Sequence, residues 1–147
     1  MPGKPRAARP AKKPNSVPSP QEILPGLFLG GWKDAVKFDG TRFCVLDEAP
    51  DDMPAATQVT IYDEGKDAPL VANLDRLGAE VDAARHGGAP VLIFCGHGVR
   101  RAPLAMAWYL HRYEKLPLDR AYERIREVRP QVEAAREWIG NCRDLEP

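Results

Sequence analysis

The stretch Val91-Leu92-Ile93-Phe94-Cys95-Gly96-His97-Gly98-Val99-Arg100-Arg101-Ala102-Pro103 constrains this chain more than any other. Four apolar residues run into a cysteine, glycines and arginines follow, and a long apolar segment opens at Ala102. Read physically, this is a buried strand, a tight glycine-rich loop and the start of a helix. Such a junction aims backbone N–H groups and the positive end of a helix dipole into one small volume, where an anion is stabilised. The same field favours a thiolate over a thiol at Cys95. Arg101, six residues further on, can close the loop over an oxyanion with a two-pronged hydrogen-bond fork.

The rest of the composition narrows the setting. At 147 residues the chain can build one domain with a real core. Its mean hydropathy of −0.42 suits a soluble globular protein, and no apolar run approaches the roughly 18 residues that a membrane span needs. No apolar segment of secretory-signal type follows the basic N-terminus, so a reducing cytoplasm and free thiols at Cys44, Cys95 and Cys142 are expected. The cysteine spacing offers no close metal-ligand pair, and neither a metal nor a cofactor is expected. The formal net charge of zero hides an asymmetry: residues 1–20 carry Lys4, Arg6, Arg9, Lys12 and Lys13 and no acid, so residues 21–147 hold a matching acidic excess. With six prolines besides, residues 1–20 read as a disordered basic tail and residues 21–147 as the folded domain. Solubilisation is the simplest role for the tail, with weak attraction to nucleic acid or an anionic membrane as the alternative. No specific nucleic-acid partner is expected.

Along the folded part, Ile23 to Leu29 reads as two short strands around the Pro25-Gly26 turn, followed by a short helix from Trp32 to Phe38. Arg42 to Leu46 and Gln58 to Tyr62 read as strands, joined by a polar loop. Leu70, Leu74, Leu77, Val81 and Ala84 recur at helical spacing, so Pro69 to His86 is an amphipathic helix. Val91 to Phe94 has the continuous apolar character of a central strand covered on both faces. Ala102 to Leu110 is apolar nearly all round and should lie inside the domain. Leu118 to Val128 forms a further helix, stopped at Arg129-Pro130, and Val132, Ala135, Ile139 and Cys142 mark a last one. The order points to a small α/β domain.

At Cys95 the spacing becomes specific: Cys95, Gly98 and Arg101 spell C-x-x-G-x-x-R. This resembles the phosphate-binding loop of the cysteine-dependent protein tyrosine phosphatases, particularly their small dual-specificity group. Asp63 lies 32 residues before Cys95, where that family carries its general acid. Ile23-Leu24-Pro25-Gly26-Leu27-Phe28-Leu29-Gly30 resembles the family's opening strands, and Ala121 to Pro130 its penultimate helix. The resemblance spans about residues 21–146. It implies a single α/β domain with a twisted, largely parallel central sheet flanked by helices. The loop departs from the family pattern at Phe94 (usually His), Arg100 (usually small) and Ala102 (usually Ser or Thr). Arg101-Ala102-Pro103 and Tyr62-Asp63-Glu64-Gly65 are also similar to the phosphatases of regenerating liver, although the chain ends Asp144-Leu145-Glu146-Pro147 without their prenylated cysteine motif.

The resemblance implies a phosphocysteine mechanism on a phosphorylated protein substrate. Cys95 is the nucleophile, Asp63 the proton donor, and Arg101 with the N–H groups of Gly96, His97, Gly98, Val99, Arg100 and Arg101 the phosphate cradle. Phe94 cannot supply the family histidine's hydrogen bonds, and Ala102 cannot stabilise the departing thiolate, so a slow second step is expected. His97 and Arg100 add positive charge at the rim, which would suit phosphoinositides or small phosphates with more than one phosphoryl group; a surface salt bridge is the plainer role of Arg100. A pseudophosphatase that binds phosphorylated partners without turnover is the non-enzymatic alternative, and rhodanese-like sulfur transfer a more distant one. Cys44 reads as a buried strand residue, with a redox partnership to Cys95 as the alternative.

Overall fold

The computed structural model describes residues 19–46, 55–59, 61 and 68–134. The described elements run β1 (Gln21–Leu24), β2 (Leu27–Gly31), α1 (Trp32–Lys37), β3 (Thr41–Cys44), β4 (Thr57–Gln58), α2 (Ala68–His86), β5 (Val91–Cys95), α3 (Arg101–Tyr113) and α4 (Leu118–Val128). The strands form one sheet in the order β1-β2-β5-β3-β4. Only β1 and β2 pair antiparallel, across the turn in which Gly26 takes a φ of +79°. β5 pairs in parallel with β2 on one side and β3 on the other, and β3 pairs in parallel with β4. The apolar run Val91 to Phe94 thus becomes the central strand, and every residue of β5 is buried. Parallel pairing on both edges with helices on both faces explains why its hydrophobicity is continuous rather than alternating.

The side chains of β5 nevertheless alternate between two cores. Val91, Ile93 and Cys95 join the large core beneath α2, α3 and α4. Leu92 and Phe94 join a smaller one with Ala35 of α1 and Cys44 of β3, flanked by Phe28, Trp32 and Phe38. α3 is buried from Ala102 through His111, as its all-round apolarity implies. Two of its polar side chains find partners on α2: Trp108 Nε1 donates to Asp75 Oδ1 at 2.7 Å, and the Tyr109 hydroxyl donates to Asp82 Oδ1 at 2.7 Å. On α2 itself, Leu74, Leu77 and Val81 are buried as the spacing predicts. No helix among the described residues is long and apolar enough to cross a membrane.

Three boundaries differ from expectation. Of the strand expected over Gln58 to Tyr62, the described residues pair with β3 at Thr57–Gln58, while Thr60 and Tyr62 lie outside the described residues. Val59 still donates its N–H to Cys44 O at 2.9 Å, and Val59 and Ile61 are buried in the large core. β3 starts one residue early and ends at Cys44, although Val45 still donates to Phe94 O at 3.0 Å. The ordered chain also reaches back past Gln21: the Ser19 hydroxyl donates to Asp34 Oδ2 at 2.8 Å, so a polar contact with α1 fixes residues assigned to the tail. Residues 1–18 and the last expected helix, with Trp138 and Cys142, lie outside the described residues.

Burial and the hydrogen bond to Asp82 push the Tyr109 phenol up to about 12, against the opposing pull of Arg85. A folded-state pKa above the unfolded value near 10 means that this group's contribution is complete below about pH 10 and is lost as pH rises through 12. Ultraviolet titration should therefore show a late phenol near pH 12 that is absent in Tyr109→Phe. A titration curve unchanged by Tyr109→Phe above about pH 11 contradicts this.

Candidate active site

β5 ends at Cys95, which is only 4% exposed and faces the large core. The chain then turns through residues 96–100 and enters α3 at Arg101. Gly98 makes the turn possible with a φ of +68°, a region that residues with a Cβ rarely occupy. In this conformation the Gly98 N–H donates to Cys95 Sγ at 3.3 Å. No side chain caps the start of α3, so the N–H groups of its first turn meet no capping oxygen from Arg100. Pro103 fits there because its missing N–H falls where no intrahelical partner exists. The result is a sulfur at the positive end of a buried helix, facing a backbone donor.

What holds the loop in place was not apparent as function in the sequence. It lies on the backbone of Gly30 and Gly31 at the end of β2. A Cβ on Gly98 would sit 2.7 Å from the Gly30 carbonyl, and one on Gly31 would sit 2.8 Å from Gly96 O. Trp32 N–H donates to Gly96 O at 3.1 Å. Arg129, just past the end of α4, completes the clamp. It is 3% exposed; its Nε donates to Gly98 O at 2.8 Å and its Nη2 to His97 O at 3.0 Å. Its Nη1 donates to Ser19 Oγ at 3.0 Å and to Gln21 Oε1. Burial pushes the guanidinium's pKa down, while the Asp34 carboxylate and the Cys95 sulfur oppose that shift. Asp34 also accepts from the Gly31 N–H at 2.8 Å, tying α1 to the same cluster.

Cys95, Gly96, His97, Val99, Arg100 and Arg101 line one cavity of about 450 Å³, with Leu46 and Glu133. The expected cysteine, arginine and cradle residues are therefore brought together, with Gly98 buried beneath them. Asp63 lies outside the described residues. His97 is exposed and stands between this cavity and a second of about 430 Å³, whose lining includes Trp32, Asp34, Arg129 and Gln131. Arg100, expected as a rim cation, is half-buried at the start of α3. Phe94 points away from the site into the smaller core, where aliphatic neighbours leave an imidazole little to bond. Cys44 occupies that same core, on the opposite face of the sheet from Cys95, which removes the basis for a redox pair. Burial raises the Cys44 thiol's pKa, and the Cys95 sulfur adds to the rise, against a hydrogen bond involving the Leu46 backbone.

The model of the dual specificity phosphatase catalytic domain matches residues 48–146. The chain belongs to this family. Among curated relatives, dual specificity protein phosphatase 12 of Rattus norvegicus is 27% identical over 123 residues, covering 76% of this chain. The chain spans about a third of that relative's length, 36%. Dual specificity phosphatase 28 of Homo sapiens is 28% identical over 128 residues, covering 80% of this chain and 72% of the relative. Among solved structures, a mouse dual specificity phosphatase complexed with zinc tungstate has a TM-score of 0.69 at 26% identity. It covers 92% of this chain and 86% of that one. Human dual specificity phosphatase 28 has a TM-score of 0.64 at 25% identity, covering 83% and 89%. The fold is that of this family: a single α/β domain whose mixed, largely parallel sheet carries the cysteine loop at the end of its central strand.

The clamp is testable without a substrate. Arg129→Ala leaves two loop carbonyls without their donor, which should cost about 3 kcal/mol in urea denaturation and weaken vanadate binding. Arg129→Lys restores charge but not the fork, and should recover little of either. Vanadate affinity and stability equal to those of the native protein in both variants would contradict this assignment.

Proposed function

We propose that the protein is a cysteine-dependent protein phosphatase that hydrolyses phosphotyrosine, phosphoserine or phosphothreonine through a phosphocysteine at Cys95. The observation that carries this reading is the Cys95 sulfur beside the Gly98 N–H, at the N-terminus of α3 and in one cavity with Arg101. Family membership and the oxyanion complex of the mouse relative support it.

The chemistry follows from the arrangement. The substrate's phosphoryl oxygens sit against the loop N–H groups and the Arg101 guanidinium, which neutralise charge as the transition state forms. The Cys95 thiolate attacks phosphorus: the S–P bond forms, the bond to the leaving oxygen breaks, and Asp63 gives that oxygen a proton. Water then attacks phosphorus, Asp63 takes its proton, and the S–P bond breaks to return the thiolate. Nucleophile and charge neutralisation both come from the chain itself.

Position 102 bears on the second step. Ala102 is fully buried at the start of α3, and it lacks the hydroxyl with which the family's usual Ser or Thr would stabilise the departing thiolate. Loss of one hydrogen bond to a charged group is worth roughly 1.5–3 kcal/mol, or about 10- to 150-fold in rate. A rapid burst of product should therefore precede slow steady-state turnover, and Ala102→Ser should speed the slow phase. Cys95→Ser and Asp63→Asn should each abolish hydrolysis of an aryl phosphate. Ala102 also favours a second reading, a phosphoprotein-binding protein that does not turn over. Saturable phosphopeptide binding with no burst and no product from the native protein would select it over the enzyme.

A further inference from the structure

The cavity that opens onto Cys95 contains one feature at odds with a pure anion site. Glu133 lines it, alongside His97, Arg100 and Arg101. A carboxylate beside a phosphate cradle opposes dianion binding unless a positive charge answers it, from the lining arginines or from the ligand itself. Glu133 is not a loosely tethered surface acid. Its backbone N–H donates to Val99 O at 2.8 Å, so its Cα is fastened to the phosphate loop itself. The turn before it is also held: Val132 N–H donates to Arg129 O at 3.2 Å, and Arg126 Nε donates to Val132 O at 3.1 Å. Glu133 is exposed and lines the same cavity as Cys95 and Arg101. Residues 21–147 carry more acids than bases, so the domain's overall charge does not oppose a cationic ligand.

We infer that Glu133 is a specificity-determining residue that selects phosphoproteins with a lysine or arginine within two residues of the phosphorylated side chain. The phosphoryl group fills the cradle while the flanking cation meets the Glu133 carboxylate at the rim. A second phosphate in the same place meets repulsion, which disfavours ligands with clustered phosphates. This rests on the phosphatase-type site proposed above, but not on its turnover.

The test reads binding and hydrolysis separately. Fluorescent phosphopeptides with lysine scanned from two residues before to two after the phosphoresidue are titrated into full-length Cys95→Ser protein, against alanine counterparts. Native Glu133 should give about three- to fivefold tighter binding for at least one lysine position, and the preference should shrink as salt is added. In Cys95→Ser/Glu133→Gln the lysine-to-alanine ratio should fall to one, and in Cys95→Ser/Glu133→Lys it should invert. A ratio of one with Glu133 present, a preference that survives Glu133→Gln, no saturable binding of any peptide, or tighter binding of a bisphosphorylated inositol headgroup would each overturn the inference. Aryl phosphate hydrolysis by the protein with Cys95 intact is measured in parallel. Its absence counts against the phosphatase reading alone, since the binding ratios are obtained without turnover.

Discussion

Everything distinctive about this protein depends on a close backbone contact. The loop after β5 rests on Gly30 and Gly31 with no room for a Cβ on Gly31 or Gly98. Because the loop lies that low, the Gly98 N–H turns toward the Cys95 sulfur and the carbonyls of His97 and Gly98 turn outward. Those carbonyls then need donors, and the buried Arg129 supplies them from the end of α4. The N-terminal strand, the central strand and the helix after α3 therefore meet at one point. A buried cation is costly unless its donors are used. Here the costly group is also the one that fixes the anion-binding loop, so fold and site are stabilised by the same contacts.

The alternation of β5 separates two jobs that lie on adjacent residues. Cys95 turns to the face under α3, and Phe94 to the face under α1. Phe94 is thus a packing solution for the smaller core, shared with Ala35, Cys44 and Leu92. Ala102 differs in kind, since it lies in the first turn of the helix that follows the cysteine loop. Of the departures from the family loop, Phe94 is absorbed by packing, and Ala102 is the one whose proposed effect is on chemistry.

Much of this was legible in the sequence because each signal had one physical meaning. A four-residue apolar run ending in Cys95, with glycines and then an all-round apolar segment, left little choice but central strand, tight loop and buried helix. The helix over Leu118 to Val128 followed from its periodicity and the Arg129-Pro130 stop. The contributors to the loop's support were hidden for equally physical reasons. An arginine at a helix end ordinarily reaches water, so Arg129 gave no sign of burial. Gly30-Gly31 reads as a release into a turn, because only the fold shows that another backbone lies against it. Glu133 is one acid among 21 acidic residues, and its place at the site comes from a single hydrogen bond to Val99. Val59 and Ile61 are buried beyond the paired residues Thr57–Gln58, since β-propensity marks burial as readily as pairing.

The proposed role of the Cys95 sulfur as the atom that receives the phosphoryl group can be observed directly. Rapid acid quenching of the native protein with a phosphopeptide, followed by intact-mass and peptide-mapping mass spectrometry, should find one added phosphoryl group within the first turnover, on Cys95. Product formed with no phosphorylated Cys95 at any quench time, under conditions that preserve a phosphocysteine standard, would contradict it.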